Sequence, residues 1–271
     1  MLLLFRTEVN DMAHTSGITR SFRPYTDALR RGVGVWLTEK GKPILQAQQN
    51  LLVELLPSVV GDVAVQVSVG TPVNMLLGAK MPQQWQLSRE AGGHVQADPC
   101  YLPFARRSLD LLLLHHSLDF EDDPHQVLHR AVDALAAGGT LIVLGFHPFS
   151  LFALGRLQQW QRPVPWQGRF LRPQKVAEWL RVLNCDVEHI SSACYGGPKH
   201  IAQGVWQRLG ERYWPKHGAF YLLVARKRTA MMRPLPNKAT KAGVAPTMVG
   251  VSLARTAKAN CDKVAKSEWH E

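Results

Sequence analysis

The sequence predicts an α/β protein whose strands form an open sheet joined by right-handed crossovers. Three observations carry that expectation. Short apolar runs of strand length alternate along the chain with segments of helical periodicity. One run, Leu109 to Leu114, is continuously apolar, as a central parallel strand must be when helices cover both its faces. Glycine and proline punctuate the intervals between these elements, notably at Pro57, Gly70-Thr71-Pro72 and Gly138-Gly139.

Taken in order, residues 1–20 show no periodicity and are expected to form a mobile terminus. A helix is expected from Thr38 to Leu56. Ile44, Leu51 and Leu55 recur there at helical spacing, with Leu45, Leu52 and Leu56 beside them. Gly41 and Pro43 blur its start, and Pro57 with Gly61 ends it. Strands follow at Val63–Val69, Trp85–Leu87, His94–Ala97 and Leu109–Leu114. Asp123 is placed as an N-cap with Pro124 at the first helical position. Val127, Leu128, Ala131, Val132 and Leu135 then make one helical face, which Gly138-Gly139 is expected to stop. Thr140–Leu144 reads as a buried strand and Arg172–Leu183 as a helix with Val176, Trp179, Leu180 and Leu183 inward. Val187–Ile190 and Ala219–Ala225 are the last strands. Beyond Arg228 the pattern collapses, and residues 229–271 are expected to be a disordered basic tail. The folded domain is thus expected over 21–228.

Composition narrows the class. At 271 residues and 46% apolar content the chain can bury a sizeable core. No apolar run approaches the roughly 20 residues that span a bilayer. Met1 to Phe5 is too short for a secretory core before Arg6 and Glu8 intervene. Cys100, Cys185, Cys194 and Cys261 are far apart and form no CxxC pair, which disfavours a zinc ribbon or a disulfide scaffold. The expectation is a cytoplasmic protein without a membrane partner. The net charge of +11 is concentrated at the end, where residues 226–271 carry ten Lys/Arg against three Asp/Glu. A basic tail of this kind solubilises, or attracts nucleic acid in a salt-sensitive way.

The stretch Ala97 to Phe146, ADPCYLPFARRSLDLLLLHHSLDFEDDPHQVLHRAVDALAAGGTLIVLGF, resembles the class I S-adenosylmethionine-dependent methyltransferases, in particular their small-molecule "type 11" branch. An acidic residue, Leu-Pro-Phe, Asp, an apolar strand, a His and acidic loop, a helix, a Gly-Gly turn and a strand stand here in that family's order. The resemblance implies a Rossmann-like fold with a mostly parallel seven-stranded sheet, an antiparallel last strand (GAFYLLVARKR) and helices on both faces. It implies S-adenosylmethionine as cofactor, lying across the carboxyl ends of the strands. Carried over by position, Asp98 accepts a hydrogen bond from the adenine amino group, with Cys100 and Leu102 flanking the ring. Ser68 and Gly70 fall in the loop after the first strand, and Glu90 is the local candidate for the ribose hydroxyls. His115 and His116 face the methyl donor and acceptor.

Two departures from the family pattern stand out. Its first loop normally reads acidic-x-Gly-x-Gly-x-Gly; here the register places Ser68, Gly70, Pro72 and Asn74, so one of the three glycines survives. Glu90 also precedes Asp98 by only eight residues, with no room for the usual helix. Methyl transfer needs position and exclusion of water more than a catalytic triad, with at most a base. His116, then His115 and His147, are the candidates for that base. His125 and His129 are four apart, but Gln126 stands where a zinc-binding HExxH motif needs Glu, so no metal is expected. The only GxG, Gly32-Val33-Gly34, follows no strand. Segments 147–172 and 195–217, the latter carrying Trp206, Arg208, Arg212, Tyr213, Trp214 and Lys216, are expected to act as lids and to build an acceptor pocket. Three functions remain open from sequence. The first is a methyltransferase with a small-molecule acceptor. The others are a binding protein of the same fold that has lost catalysis, and an RNA-binding or RNA-modifying protein using the Trp/Arg segments and tail.

Overall fold

A computed structural model describes residues 23–70, 73–90, 92–155, 164–196, 208, 212–214 and 217–229, with side chains from residue 29 onward. The expected N-terminal segment 1–20, the tail from 230, and much of both expected lids, including Trp206 and Lys216, lie outside the described residues. In chain order the elements are α1 (Arg23–Glu39), α2 (Lys42–Leu55), β1 (Val63–Ser68), β2 (Gln83–Ser88), β3 (Val95–Gln96), β4 (Leu109–His115), α3 (Ser117–Phe120) and α4 (Pro124–Ala134). They continue with β5 (Leu135–Phe146), α5 (Pro173–Val182), β6 (Cys185–Ala193) and β7 (Phe220–Lys227).

The strands of the described residues form one seven-stranded sheet in the order β3-β2-β1-β4-β5-β7-β6. β1 to β5 pair in parallel, and β7 runs antiparallel to both neighbours. This is the mostly parallel sheet with an antiparallel last strand that the resemblance implied. Side chains alternate along each strand, so the sheet feeds two cores. Leu111, Leu113, Ile142 and Leu144 join α1 and α2 on one face. Leu112, Leu114, Leu141 and Val143 join α4 and α5 on the other. Asp123 caps α4 by accepting from the Gln126 N–H at 3.0 Å, with Pro124 behind it.

Two expectations need correcting. The single helix from Thr38 is two helices, broken at Gly41, where a Cβ would lie 2.7 Å from the Trp36 ring. α1 escapes a propensity reading because Gly32, Val33, Gly34 and Val35 are poor helix formers. It forms because Leu29, Val33 and Leu37, four apart, bury one face. Gly32 and Gly34 are thus helical, not part of a nucleotide loop. The second correction concerns Gly138-Gly139, which lie inside β5 and do not end α4. Leu135 is already extended and pairs with Leu109, and Gly139 approaches the Leu109 carbonyl so closely that a Cβ would sit 3.0 Å from it. No helix among the described residues is long and apolar enough to cross a membrane.

A polar node ties α2 to the carboxyl end of β4. The fully buried Gln48 accepts from His115 Nε2 at 3.1 Å and donates to His116 Nε2 at 2.8 Å. His116 Nδ1 then donates to Asp119 Oδ2 at 3.0 Å, and the same oxygen accepts from the Phe146 N–H at 2.9 Å. The tautomers follow from this network: His115 carries its proton on Nε2 and His116 on Nδ1. Replacing Gln48 by Leu orphans two buried nitrogens. The expected loss in urea unfolding is about 1–3 kcal/mol for each; a loss below about 0.5 kcal/mol, the range of neutral surface changes, would show that the amide holds nothing.

Candidate cofactor and acceptor site

The carboxyl ends of β1 to β4 share one edge of the sheet, and the sequence candidates gather there in two groups. The first lies around β1, β2 and β3. Gln66 stands as a polar residue inside an otherwise apolar strand, and it pins the loop after β1. Its Nε2 donates to Ser68 Oγ and to the Val73 carbonyl, both at 2.6 Å, while its Oε1 accepts from the Met75 N–H at 2.8 Å. Ser88 ends β2, where the family pattern looks for an acid. Its hydroxyl donates to the Gly70 carbonyl at 2.9 Å and accepts from the Glu90 N–H at 3.0 Å. Gly70 and the Glu90 backbone are therefore linked through Ser88, while Ser68 is held by Gln66. The Glu90 carboxylate itself lies 3.8 Å from the exposed Arg31.

Gly70 has φ +65, the left-handed region that glycine enters without penalty. A Cβ there would stand 2.6 Å from the Arg30 carbonyl and 3.0 Å from Gly34, so α1 crosses directly over the end of β1. That crossing brings in a charge network. Arg30 reaches Glu121 at 2.8 Å with both side chains buried, and Arg89 bridges Glu121 at 3.3 Å and Asp98 at 2.6 Å. Burial pushes the Glu121 carboxyl up to about 7, against the pull of Arg30 and Arg89. Asp98, 31% exposed, also accepts from the Cys100 N–H at 2.9 Å. Cys100 and Leu102 lie partly buried beside it.

A nucleoside fits these residues. Both described bonds to Asp98 fall on Oδ1, which leaves Oδ2 to accept from an adenine amino group, with Cys100 and Leu102 as apolar flanks. A metal fits them less well. Asp98, Cys100 and Glu121 do bring ligand-type atoms within 4.8 Å of one another, but the Arg89 guanidinium already supplies the cation there. Burial, then Asp98 and Glu121, also raise the Cys100 thiol to about 12, far from the thiolate a metal needs. His125 packs on Trp179 at 3.6 Å and His129 pairs with Asp133 at 3.7 Å, so neither helical histidine is shaped as a ligand.

The second group is histidines. His115 and His116 are buried in the node with Gln48, and burial lowers both; His116 is held at about 3. His116 has both ring nitrogens bonded and stacks on Phe146 at 4.0 Å. His147 stands apart at the end of β5, where its Nδ1 accepts from the Phe149 N–H at 3.2 Å and its ring faces His217 at 5.2 Å.

Sequence reasoning missed Gln48, Gln66, Ser88, Arg30, Arg89 and Glu121. Gln66 had a signal, a polar interruption in VAVQVSV. Glu121 had none, because nothing local separates it from Asp122 and Asp123.

Residues 73–143 match the model of the methyltransferase domain family. Strand order and this match together give the chain a Rossmann-like fold of the class I methyltransferase type, with the family match confined to residues 73–143. The uncharacterized protein YafS of Escherichia coli (strain K12) is 36% identical over 152 residues, which are 54% of this chain and 60% of that relative. The chain therefore spans less than two thirds of that relative's length. Among solved structures, a Thermotoga maritima S-adenosylmethionine-dependent methyltransferase, described as a possible histamine N-methyltransferase, is similar at 18% identity and a TM-score of 0.52. The match covers 76% of this chain and 98% of that one. A chain from the Haloferax volcanii complex of the Trm112 methyltransferase activator with a methyltransferase gives 16% identity and 0.53, covering 74% and 97%. At these identities the structural likeness is one of fold.

Burial and His217 lower His147 to about 4. Between pH 6.5 and about 4 the unfolded chain therefore takes up a proton that the folded His147 refuses. Its contribution to stability is complete above pH 6.5 and is lost as the pH falls towards 4. The urea midpoint of His147→Gln is expected to fall less between pH 7 and 4.5 than that of the parent protein. Parallel curves would mean that His147 titrates alike in both states.

Proposed function

We propose that this chain is an S-adenosylmethionine-dependent methyltransferase acting on a small-molecule acceptor. The observation that carries the reading is the Asp98 carboxylate at the carboxyl end of β3. One of its oxygens is held by Arg89 and the Cys100 N–H, and the other is left for an adenine amino group. In this reading Cys100 and Leu102 flank the adenine, and Ser68, Gly70 and Glu90 border the ribose side. The bound cofactor supplies a methyl group already activated by a sulfonium leaving group. The protein's share is to orient the reactants and exclude water. His115 and His116 serve by holding the end of β4 rigid, while His147 stands at the acceptor side beside β5. A concave space of about 460 Å³ at that end of the sheet has the size of a small-molecule site.

A second reading, cofactor binding without transfer, is favoured by the close crossing of α1 over Gly70 and by the loss of two loop glycines. Transfer of label from methyl-labelled cofactor into a small-molecule extract separates the two. Calorimetry with S-adenosylhomocysteine tests what they share. The parent protein is expected to bind it, and Asp98→Ala to weaken binding by about 1–3 kcal/mol, the worth of a hydrogen bond to a charged group. An affinity unchanged by Asp98→Ala removes that carboxylate from the site, and absence of binding by the parent protein sinks the methyl-donor reading.

A further inference from the structure

Three strand ends converge beside the cofactor edge. β5 finishes at Phe146, β7 begins at Phe220 opposite it, and β6 ends at Ala193, also paired with Phe220. The His147 N–H donates to the Ala219 carbonyl at 3.0 Å, so the chain leaving β5 and the chain entering β7 start out side by side. Between them opens the cavity of about 460 Å³, lined by Phe149, Leu151, Leu154, Tyr195, Trp214 and His217 among others. Phe149, Leu154 and Trp214 are 55%, 53% and 58% exposed, a concentration of large apolar side chains around one hollow.

The Ser150 and Tyr195 hydroxyls of this lining are bonded to the protein's own backbone. Ser150 Oγ donates to the His147 carbonyl at 2.9 Å and accepts from the Ala153 N–H at 3.1 Å. Tyr195 OH donates to the Ser192 carbonyl at 3.0 Å. His147 Nδ1 is occupied by the Phe149 N–H, which leaves its Nε2 as a donor only. Among the described residues His217 is then the side chain that brings an ionisable group to the lining.

Resting on the methyl-donor reading above, we propose that this cavity binds the acceptor, that the acceptor is a hydroxylated aromatic molecule, and that His217 takes its proton. Three ring-bearing walls, Phe149, Tyr195 and Trp214, suit a flat ring by stacking. Among the described residues the lining itself carries no carboxylate, lysine or arginine side chain, and the Arg172 guanidinium lies 4.5 Å from the centroid of the Phe149 ring. A phenol, ionising near pH 10, needs a base to react at neutral pH, and an exposed imidazole can pass the proton on to water. In the step, the phenol oxygen forms a bond to the methyl carbon as the carbon–sulfur bond breaks. The O–H proton goes to a ring nitrogen of His217, and the bonding electron pair leaves with sulfur as a neutral thioether.

The experiment is calorimetric titration of the full chain with 2-naphthol in the presence of S-adenosylhomocysteine. Leu154→Glu, a change at an exposed position that the fold tolerates, is expected to weaken 2-naphthol at least tenfold and to leave S-adenosylhomocysteine within twofold. His217→Ala is expected to keep 2-naphthol binding within threefold. It should lose at least tenfold in methyl transfer to 2-naphthol at pH 7 and recover as the pH approaches the phenol's own ionisation. If S-adenosylhomocysteine binds but 2-naphthol does not, or binds Leu154→Glu equally well, the cavity assignment falls and the methyl-donor reading stands. If 2-naphthol responds to Leu154→Glu but the cofactor product does not bind, the methyl-donor reading falls instead. A pH profile unchanged in His217→Ala overturns the role given to that residue.

Discussion

The side-chain amide of Gln48 is the contact on which the functional edge of the sheet depends. It presents one acceptor and one donor to two successive histidines, and so selects a different tautomer for each. Through His116 and Asp119 the same chain of bonds reaches the backbone of Phe146, joining α2, β4, α3 and β5. The node also holds a backbone conformation that its residue would not choose. His116 has φ +55, a left-handed geometry costing a non-glycine residue about 1–3 kcal/mol. Its two ring hydrogen bonds and its stack on Phe146 offset that cost. The turn that starts α3 and sends Glu121 back towards Arg30 and Arg89 follows from it.

Glu121 is where the second constraint begins. Arg30 comes from a helix that precedes the sheet in sequence, yet its guanidinium is buried against Glu121, and Arg89 carries the network on to Asp98. A buried ion pair contributes little net stability, because desolvation offsets most of the attraction. Its effect is geometric: it sets where α1 crosses Gly70 and how the Asp98 carboxylate is turned. The loss of glycines from the loop after β1 is intelligible in the same terms. Gln66 and Ser88 hold that loop through side-chain bonds, and Gly70 remains glycine where helix backbone comes within contact.

Much of this was legible along the chain. The apolar runs at Val63 and Leu109, the Asp123-Pro124 cap and the Ala97–Phe146 motif are local patterns, and the sheet they predict is the sheet that forms. Asp98 could be singled out from sequence for the same reason, since its neighbours Cys100 and Leu102 lie within a few residues. α1 was hidden because its glycines and valines argue against a helix that only packing supports. Arg30, Arg89 and Glu121 were hidden because surface and buried charges look alike until a fold encloses them.

The sequence by itself determined the order of the strands and of α2, α4 and α5, the faces they bury, and the acidic position after β3, because each rests on periodicity or on neighbours within one turn of chain. Tertiary structure decided which polar groups lie inside and what they touch. Gln48 meets His116 from 68 residues away, and Arg30 meets Glu121 from 91. Such pairings carry no local signature: a hydrogen bond or ion pair between distant residues becomes strong only after apolar burial has removed the competing water, and it is the packing of both cores that removes it.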